Sequence, residues 1–301
     1  CGSPGAWAEA RPSGAADPPR HSARFGWASW VEVAGGRAQS ADTPACNWST
    51  LVVYEYPFNE GIRTMLRLEH LFDRLCELVR RDSAIDHHFA LVTLFEIMDV
   101  ASRADLKSDL LKELERHRAQ FLAYRGHPGI AEAALDAAIA RIDQAFAELN
   151  QLAGKAGAVL TGNDWLMSVR SRISIPGGTC AFDLPGYFAW QQHAPDRRRQ
   201  DLAHWCGQLA PLQLALRVLI GLLRDSGSPQ RMMAVGGQFQ QSLPAGRTFH
   251  LMRVRIDEST DLVPEMTGHR LMISVRMMRP DAEGRLRPAA QDTPFELALC
   301  A

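Results

Sequence analysis

The chain lacks any uninterrupted apolar run of the roughly 18 residues needed to cross a membrane. Its richest stretch, Leu212 to Leu223, is broken by Gln213 and Arg217 and reads as a buried helix. It also lacks net charge: 33 Lys and Arg against 34 Asp and Glu leave −1 at pH 7. That removes any global attraction to nucleic acid or to an anionic membrane, so electrostatic recognition must be local. Cysteine is scarce, six in 301 residues, scattered at 1, 46, 76, 180, 206 and 300 without a CxxC pair. This usage fits reduced thiols in a cytosol. The sequon at Asn47-Trp48-Ser49 would matter only in a secretory context, which no other feature supports.

Signatures of catalysis are missing too. Gly177-Gly178 does not extend to a Walker sequence, and Gly236-Gly237 runs into Gln238 and Phe239 without GxGxxG spacing. His87 and His88 are adjacent, so on a helix they diverge by about 100° and cannot share one metal ion. His204 and Cys206 have no second pair at ligand spacing. Cys180, after a Pro-Gly-Gly turn, is the best nucleophile candidate, although a structural thiol explains it more simply. Asp183 reads as a helix cap. The run Arg197-Arg198-Arg199 is flanked by Asp196 and Asp201 and reads as a solvated helix start. The basic runs are short and lack the interleaved aromatics of a nucleic-acid stacking platform. These features predict no enzyme, no cofactor, no metal and no nucleic-acid partner.

What is present is strong periodicity after an aperiodic start. Residues 1–48 are rich in Gly, Ala, Pro, Ser and Arg, and no methionine precedes Met65. They read as a disordered or non-native extension. Leu51 to Pro57 is a β-rich run closed by proline, which suits an edge strand. Asn59 then caps a helix with Ile62, Met65, Leu66, Phe72, Leu75 and Val79 inward. Further helices are predicted from about Ile85, from an Asp105 cap, over about 131–153, from Asn163, after Asp183, and near 196–208 and 211–225. Gly177 and Gly178 both supply positive φ to the turn after Pro176. Beyond Pro229 the period becomes two, with strands predicted at 232–240, 247–257, 269–278 and 293–299.

Two of these strands carry arginine pairs. Leu271, Ile273, Val275 and Met277 share one face, opposite Arg270, Ser274 and Arg276. His250, Met252, Val254 and Ile256 share another, opposite Arg253 and Arg255. Were the two strands adjacent and in register, four guanidiniums would gather on one surface able to hold an acidic peptide. The plainer alternative is a solvated sheet face. Arg63 and Arg67 lie at i, i+4 on the first helix, with Glu60 and Glu69 near enough to neutralise them. Arg170 and Arg172, two apart, cannot share a helix face.

Five segments occur in one collinear order: YEYPFNEGIRTMLRLEHLFDRL at 54–75, LLKELERH at 110–117, RISIPGGTCAFDLP at 172–185, GHRLMISVRMM at 268–278 and PFELALCA at 294–301. Together they resemble the ZapD family of bacterial cell-division factors, over about residues 51–301. The resemblance implies an α+β protein, mainly helical over 49–227 (with the 51–57 strand) and with a C-terminal antiparallel β-sheet domain over 228–301. It implies a cytoplasmic homodimer at the mid-cell ring, without membrane insertion. Such a dimer would bind the C-terminal tail of FtsZ, the tubulin-like division protein, through a basic pocket. It would bundle FtsZ protofilaments, stabilise the ring and lower FtsZ GTPase activity without using GTP itself. Arg63, Arg67, Arg103, Arg172, His269, Arg270 and Arg276 lie in segments that match the family's, and Arg253 follows a loop of variable length. Asn163-Asp164 is a departure, at a place where relatives can carry basic residues. The alternatives are a small-molecule enzyme using Cys180 and a nucleic-acid-binding adaptor.

Overall fold

The structure, a computed structural model, describes residues 51–102 and 105–301. The expectations for residues 1–48 and for Arg103 lie outside the described residues. Strand β1 (Leu51–Pro57) ends at proline, and Asn59 caps α1 (Glu60–Arg80) by accepting from the Ile62 amide at 2.9 Å. Met65, Leu68, Phe72, Leu75, Cys76 and Val79 form the buried stripe of α1, while Ile62 and Leu66 pack at its margin. Ser83 caps α2 (Ala84–Ala101), which is buried on most sides and sits in the middle of the helical core. Next come α3 (Leu106–Ala123) and α4 (Glu132–Gln151), packed on each other, with Asp105 at the start of α3 making no side-chain cap. A 3-10 turn at 158–162 leads to α5 (Asp164–Ile173), α6 (Pro185–Gln191), α7 (Pro195–Gly207) and α8 (Ala210–Asp225). Helix α8 packs against α1, α3 and α4 through Leu212, Leu216, Leu219 and Leu223. No single helix among the described residues is long and apolar enough to cross a membrane.

The remaining strands form two antiparallel sheets. One has the order β1-β4-β8-β2, built from β2 (Gln230–Ala234), β4 (Leu251–Asp257), β8 (Thr293–Cys300) and, at its edge, β1. The other has the order β3-β6-β5, from β3 (Gln238–Ser242), β5 (Val263–His269) and β6 (Met272–Pro280), with β7 (Leu286–Pro288) added on β6. Met252, Val254, Ile256, Phe295 and Leu297 of the first sheet pack on Ile273, Val275 and Met277 of the second. The fold is α+β.

Three expectations change at this level. The strand predicted over 232–240 is cut at Gly236 and Gly237, with φ of 55° and 73°, and its halves join different sheets. A Cβ at Gly237 would lie 1.8 Å from the Ala289 carbonyl oxygen, so the crossing point admits no side chain. Arg270 and Leu271 form a two-residue turn outside β6, and Leu271 is 59% exposed instead of facing the core. Finally, β4 and β6 belong to different sheets, so their arginines do not gather on one surface. Because the sheets meet through their apolar faces, the arginine-bearing faces look in opposite directions.

The helices and the first sheet are joined by a partly buried ion cluster. The Arg224 guanidinium on α8 donates to Glu55 on β1 at 2.7 Å and to Glu69 on α1 at 2.6 and 2.7 Å. Arg253 on β4 donates to the same Glu55 at 2.9 Å, as its cross-strand partner. Burial pushes the Glu55 carboxyl up, but the bonds from Arg224 and Arg253 outweigh it and leave the group below its ordinary value. Its stabilising contribution is therefore complete above the ordinary carboxylate pKa and is lost as pH falls through the lowered folded value. Replacing Arg224 by Met should cost about 2 kcal/mol, less than the roughly 3–5 kcal/mol of a fully buried broken pair because this cluster is partly solvated. Urea unfolding at pH 7 and pH 3.5 tests this. An unchanged midpoint at pH 7, or an acid dependence identical to wild type, would contradict the assigned role.

Candidate functional site: a cationic edge beside the first helix

The residues before α1 rest on the β5–β6 hairpin. Tyr56 and Phe58 meet edge to face at 5.7 Å, and the Tyr56 hydroxyl donates to the Gly268 carbonyl at 3.4 Å. A Cβ at Gly268 would approach the Phe58 ring to 2.6 Å, so only glycine lets this aromatic lie on the strand. The contact brings Phe58, two residues before α1, onto β5 one residue before His269. Arg63 and Arg67 project from the first two turns of α1 and share one acid, Glu60, at 3.2 and 3.5 Å. His269 is exposed, its Nδ1 accepting from the Leu271 amide at 3.3 Å. Arg270 is exposed and makes no hydrogen bond or ion pair among the described residues. Arg276 lies on the outer face of its sheet, about 17 Å along β6 from the turn. It faces Glu265 across the strands at 3.4 Å, both half exposed.

The other sequence-selected residues are placed differently. Arg253 is only 18% exposed and is held by Glu55 on a face covered by α1 and α8. Arg172 stands at the end of α5, which packs on α2 and the turn at 158–162, and lies 4.0 Å from Asp183. Asp183 does not cap α6, whose first residue follows Leu184 without a side-chain cap; it faces Arg172 and the Cys180 thiol instead. Of Gly177 and Gly178, the first alone has positive φ, at 71°. Gly178 is needed for close approach, since a Cβ there would meet the Arg172 carbonyl oxygen at 2.7 Å. Cys180 is half-buried and donates to the Gly177 carbonyl at 2.7 Å. Asn163 caps α5, accepting from the Leu166 amide at 3.0 Å, which gives that departure a local structural use.

A larger correction concerns Arg198, read as solvated but only 4% exposed. Its Nε donates to His87 Nδ1 at 2.9 Å and its Nη1 to the Gln191 carbonyl at 3.0 Å, with the Asp82 and His193 carbonyls completing the set. His87 Nε2 in turn faces the Arg81 carbonyl at 2.7 Å, which requires the neutral Nε2–H tautomer. His88, the adjacent residue, turns to the Tyr187 hydroxyl at 2.6 Å.

Sequence reading also missed a cavity of about 510 Å³ between the start of α1, α3 and α8. Ile62, Met65, Leu106, Leu110, Leu219 and Leu223 line it, with Glu60, Gly61, Lys112, Arg116, His117 and His250 among the rest of its wall. Its parts come from five places in the chain, so no local period announces it. Burial, then the neighbouring Arg116, pushes His117 below the ordinary imidazole value. Among the described residues no group of three His, Cys, Asp or Glu is arranged to hold a metal ion.

The family model described as ZapD, cell division protein, matches residues 66–276. The chain belongs to the ZapD family. Within the match fall Arg67, Arg172, Arg253, His269, Arg270 and Arg276; Arg63 stands one helical turn before it. The match thus runs from α1 through the sheet strand that carries Arg276, and its family is one of cell division proteins.

Burial, then the Arg198 charge, holds His87 below its ordinary pKa. A depressed imidazole stabilises the fold fully above pH 6.5 and loses that contribution as pH falls through the folded value. Stability should therefore decline between pH 7 and pH 5, before the Glu55 cluster titrates, and His87→Gln should flatten that decline. Urea midpoints at the two pH values decide it; equal slopes in wild type and variant would refute the assignment.

Proposed function

We propose that this ZapD-family chain is a non-catalytic cytoplasmic cross-linker that binds the acidic C-terminal tail of FtsZ and, as a homodimer, joins protofilaments at the division ring. The observation that carries the reading is the Phe58–Gly268 contact, which brings the segment just before α1 onto the end of β5, next to His269 and the Arg270–Leu271 turn. Arg63, Arg67, His269, Arg270 and Arg276 then supply cations from a helix and a hairpin, with Glu60 paired to Arg63 and Arg67 and Glu265 paired to Arg276. Exposed ion pairs of this kind are worth about 0–1 kcal/mol each, so an acidic peptide exchanges them at little cost. Arginine's planar fork favours carboxylates in that exchange. Arg253 keeps Glu55 and acts here as a support, while Arg172 stands exposed at the end of α5, 4.0 Å from Asp183.

Cross-linking follows from valency. One tail site per subunit decorates a filament, whereas two sites in a dimer hold two filaments, and repetition along the polymers compensates for weak single sites. Lower GTPase activity is then a consequence of bundling, with no chemistry needed in this chain.

The test combines FtsZ pelleting with anisotropy of a tail peptide. Single Glu replacements at Arg63, Arg67, Arg270 and Arg276 should leave melting nearly unchanged, because each side chain is exposed or weakly paired. Arg276→Glu should weaken tail binding roughly tenfold or more, the loss of one charge-assisted contact plus repulsion. Rising salt should weaken wild-type binding. Unchanged affinity in all four folded variants, or no sedimentation of FtsZ bundles with wild type, would overturn the proposal.

A further inference from the structure

We infer that the cavity between α1, α3 and α8 is the second half of the peptide site, taking a bulky apolar side chain of the same acidic peptide whose carboxylates pair with Arg63 and Arg67. This rests on the tail-binding reading and deepens it. The cavity's volume, about 510 Å³, falls in the roughly 300–1,000 Å³ range of ligand pockets. Its apolar lining comes from three helices and includes Met65, Leu110 and Leu223, which are buried in the fold. The two cations of α3 at its wall are already paired, Lys112 with Asp109 at 3.6 Å and Arg116 with Glu113 at 2.7 Å, and Asp105 adds a further acid there. A ligand carboxylate therefore gains nothing inside the cavity, whereas a hydrocarbon side chain does.

Continuity with the arginines fixes the occupant's chemistry. Glu60 is a wall residue of the cavity and also the acid that holds Arg63 and Arg67. A peptide carboxylate that replaces Glu60 on those arginines stands at the edge of the cavity, so the next inward-facing side chain of that peptide reaches the apolar wall. The fitting partner is an acidic segment interrupted by a large aliphatic or aromatic residue. A purely acidic segment would fill only the arginine half.

Gly61 offers a clean way to close the cavity. It is exposed, lies in the first turn of α1, lines the cavity, and a Cβ there meets only the Asn59 side chain, at 3.4 Å. Leucine at this position adds bulk while improving helix propensity, so Gly61→Leu should melt no lower than wild type. Anisotropy with the full chain should compare the FtsZ tail peptide with the same peptide whose large apolar residues are alanine. For wild type, the alanine peptide should bind about tenfold or more weakly, the value of burying one such side chain. Gly61→Leu should bind the intact peptide about fivefold or more weakly than wild type does, leave binding of the alanine peptide unchanged, and keep the same salt slope. Equal binding of the intact peptide by Gly61→Leu and wild type would overturn the cavity's role while leaving the arginine site standing. Equal losses for both peptides would also overturn it. No binding of either peptide by wild type would refute the tail reading, and this inference with it.

Discussion

The guanidinium of Arg224 lies between the carboxylates of Glu55 and Glu69, and the position of α1 against the sheets depends on it. Four elements meet there: β1, α1, α8 and, through Arg253, β4. The apolar contacts at this junction are few, chiefly Leu223, Leu251 and Cys300 with Ile62 and Leu66 at the side. Apolar packing is non-directional and would tolerate sliding of a helix on a sheet. Charge-assisted bonds with two acids and two arginines fix both register and angle. The cost is desolvation of four charged groups, which is why the cluster stays partly open to solvent. One arginine too many or one acid too few would leave an unpaired charge at the place where the two halves of the fold meet.

That constraint explains how similar arginines come to do different work. Arg253 and Arg276 occupy equivalent places in their strands, each on the side away from the apolar core between the sheets. The outer face of the first sheet is covered by α1 and α8, so Arg253 is enclosed and paired with Glu55. Among the described residues no helix covers the outer face of the second sheet at Arg276, which is 51% exposed beside Glu265. Alternation in a strand tells which side a residue takes. It does not tell what lies on that side.

The same limit decides how much of the fold was legible in the sequence. The apolar stripe of α1 and its Asn59 cap, and the Asn163 cap of α5, were readable because helix periodicity and capping act over a few residues. The division of the strands into two sheets was not, because it turns on the backbone freedom of Gly236 and Gly237 within what reads as one β-run. Strand β5 escaped notice because Pro264 and Gly268 are poor strand formers, although Gly268 is the residue that lets Phe58 dock. Arg198 was misread for a related reason. Flanking acids suggest solvent, but the carbonyls of Asp82, in a loop, and Gln191, at the end of α6, with His87, form a cage from distant parts of the chain. Of the candidate site, the cationic positions were visible, and their relation to one another was not.

Glu60 connects the two halves of the proposed site and shows why neither half would suffice. Its carboxylate serves two arginines at 3.2 and 3.5 Å while its backbone belongs to the capped first turn, so it occupies the place a ligand carboxylate would take. In the free chain this keeps Arg63 and Arg67 paired but weakly held. An arginine surface alone would accept any polyanion, since carboxylates and phosphates both fit the guanidinium fork. A cavity alone would accept any greasy side chain. Placed on the two sides of one acidic residue at the start of α1, they demand a carboxylate and a hydrocarbon group at a set spacing, and specificity comes from that spacing more than from the strength of either contact.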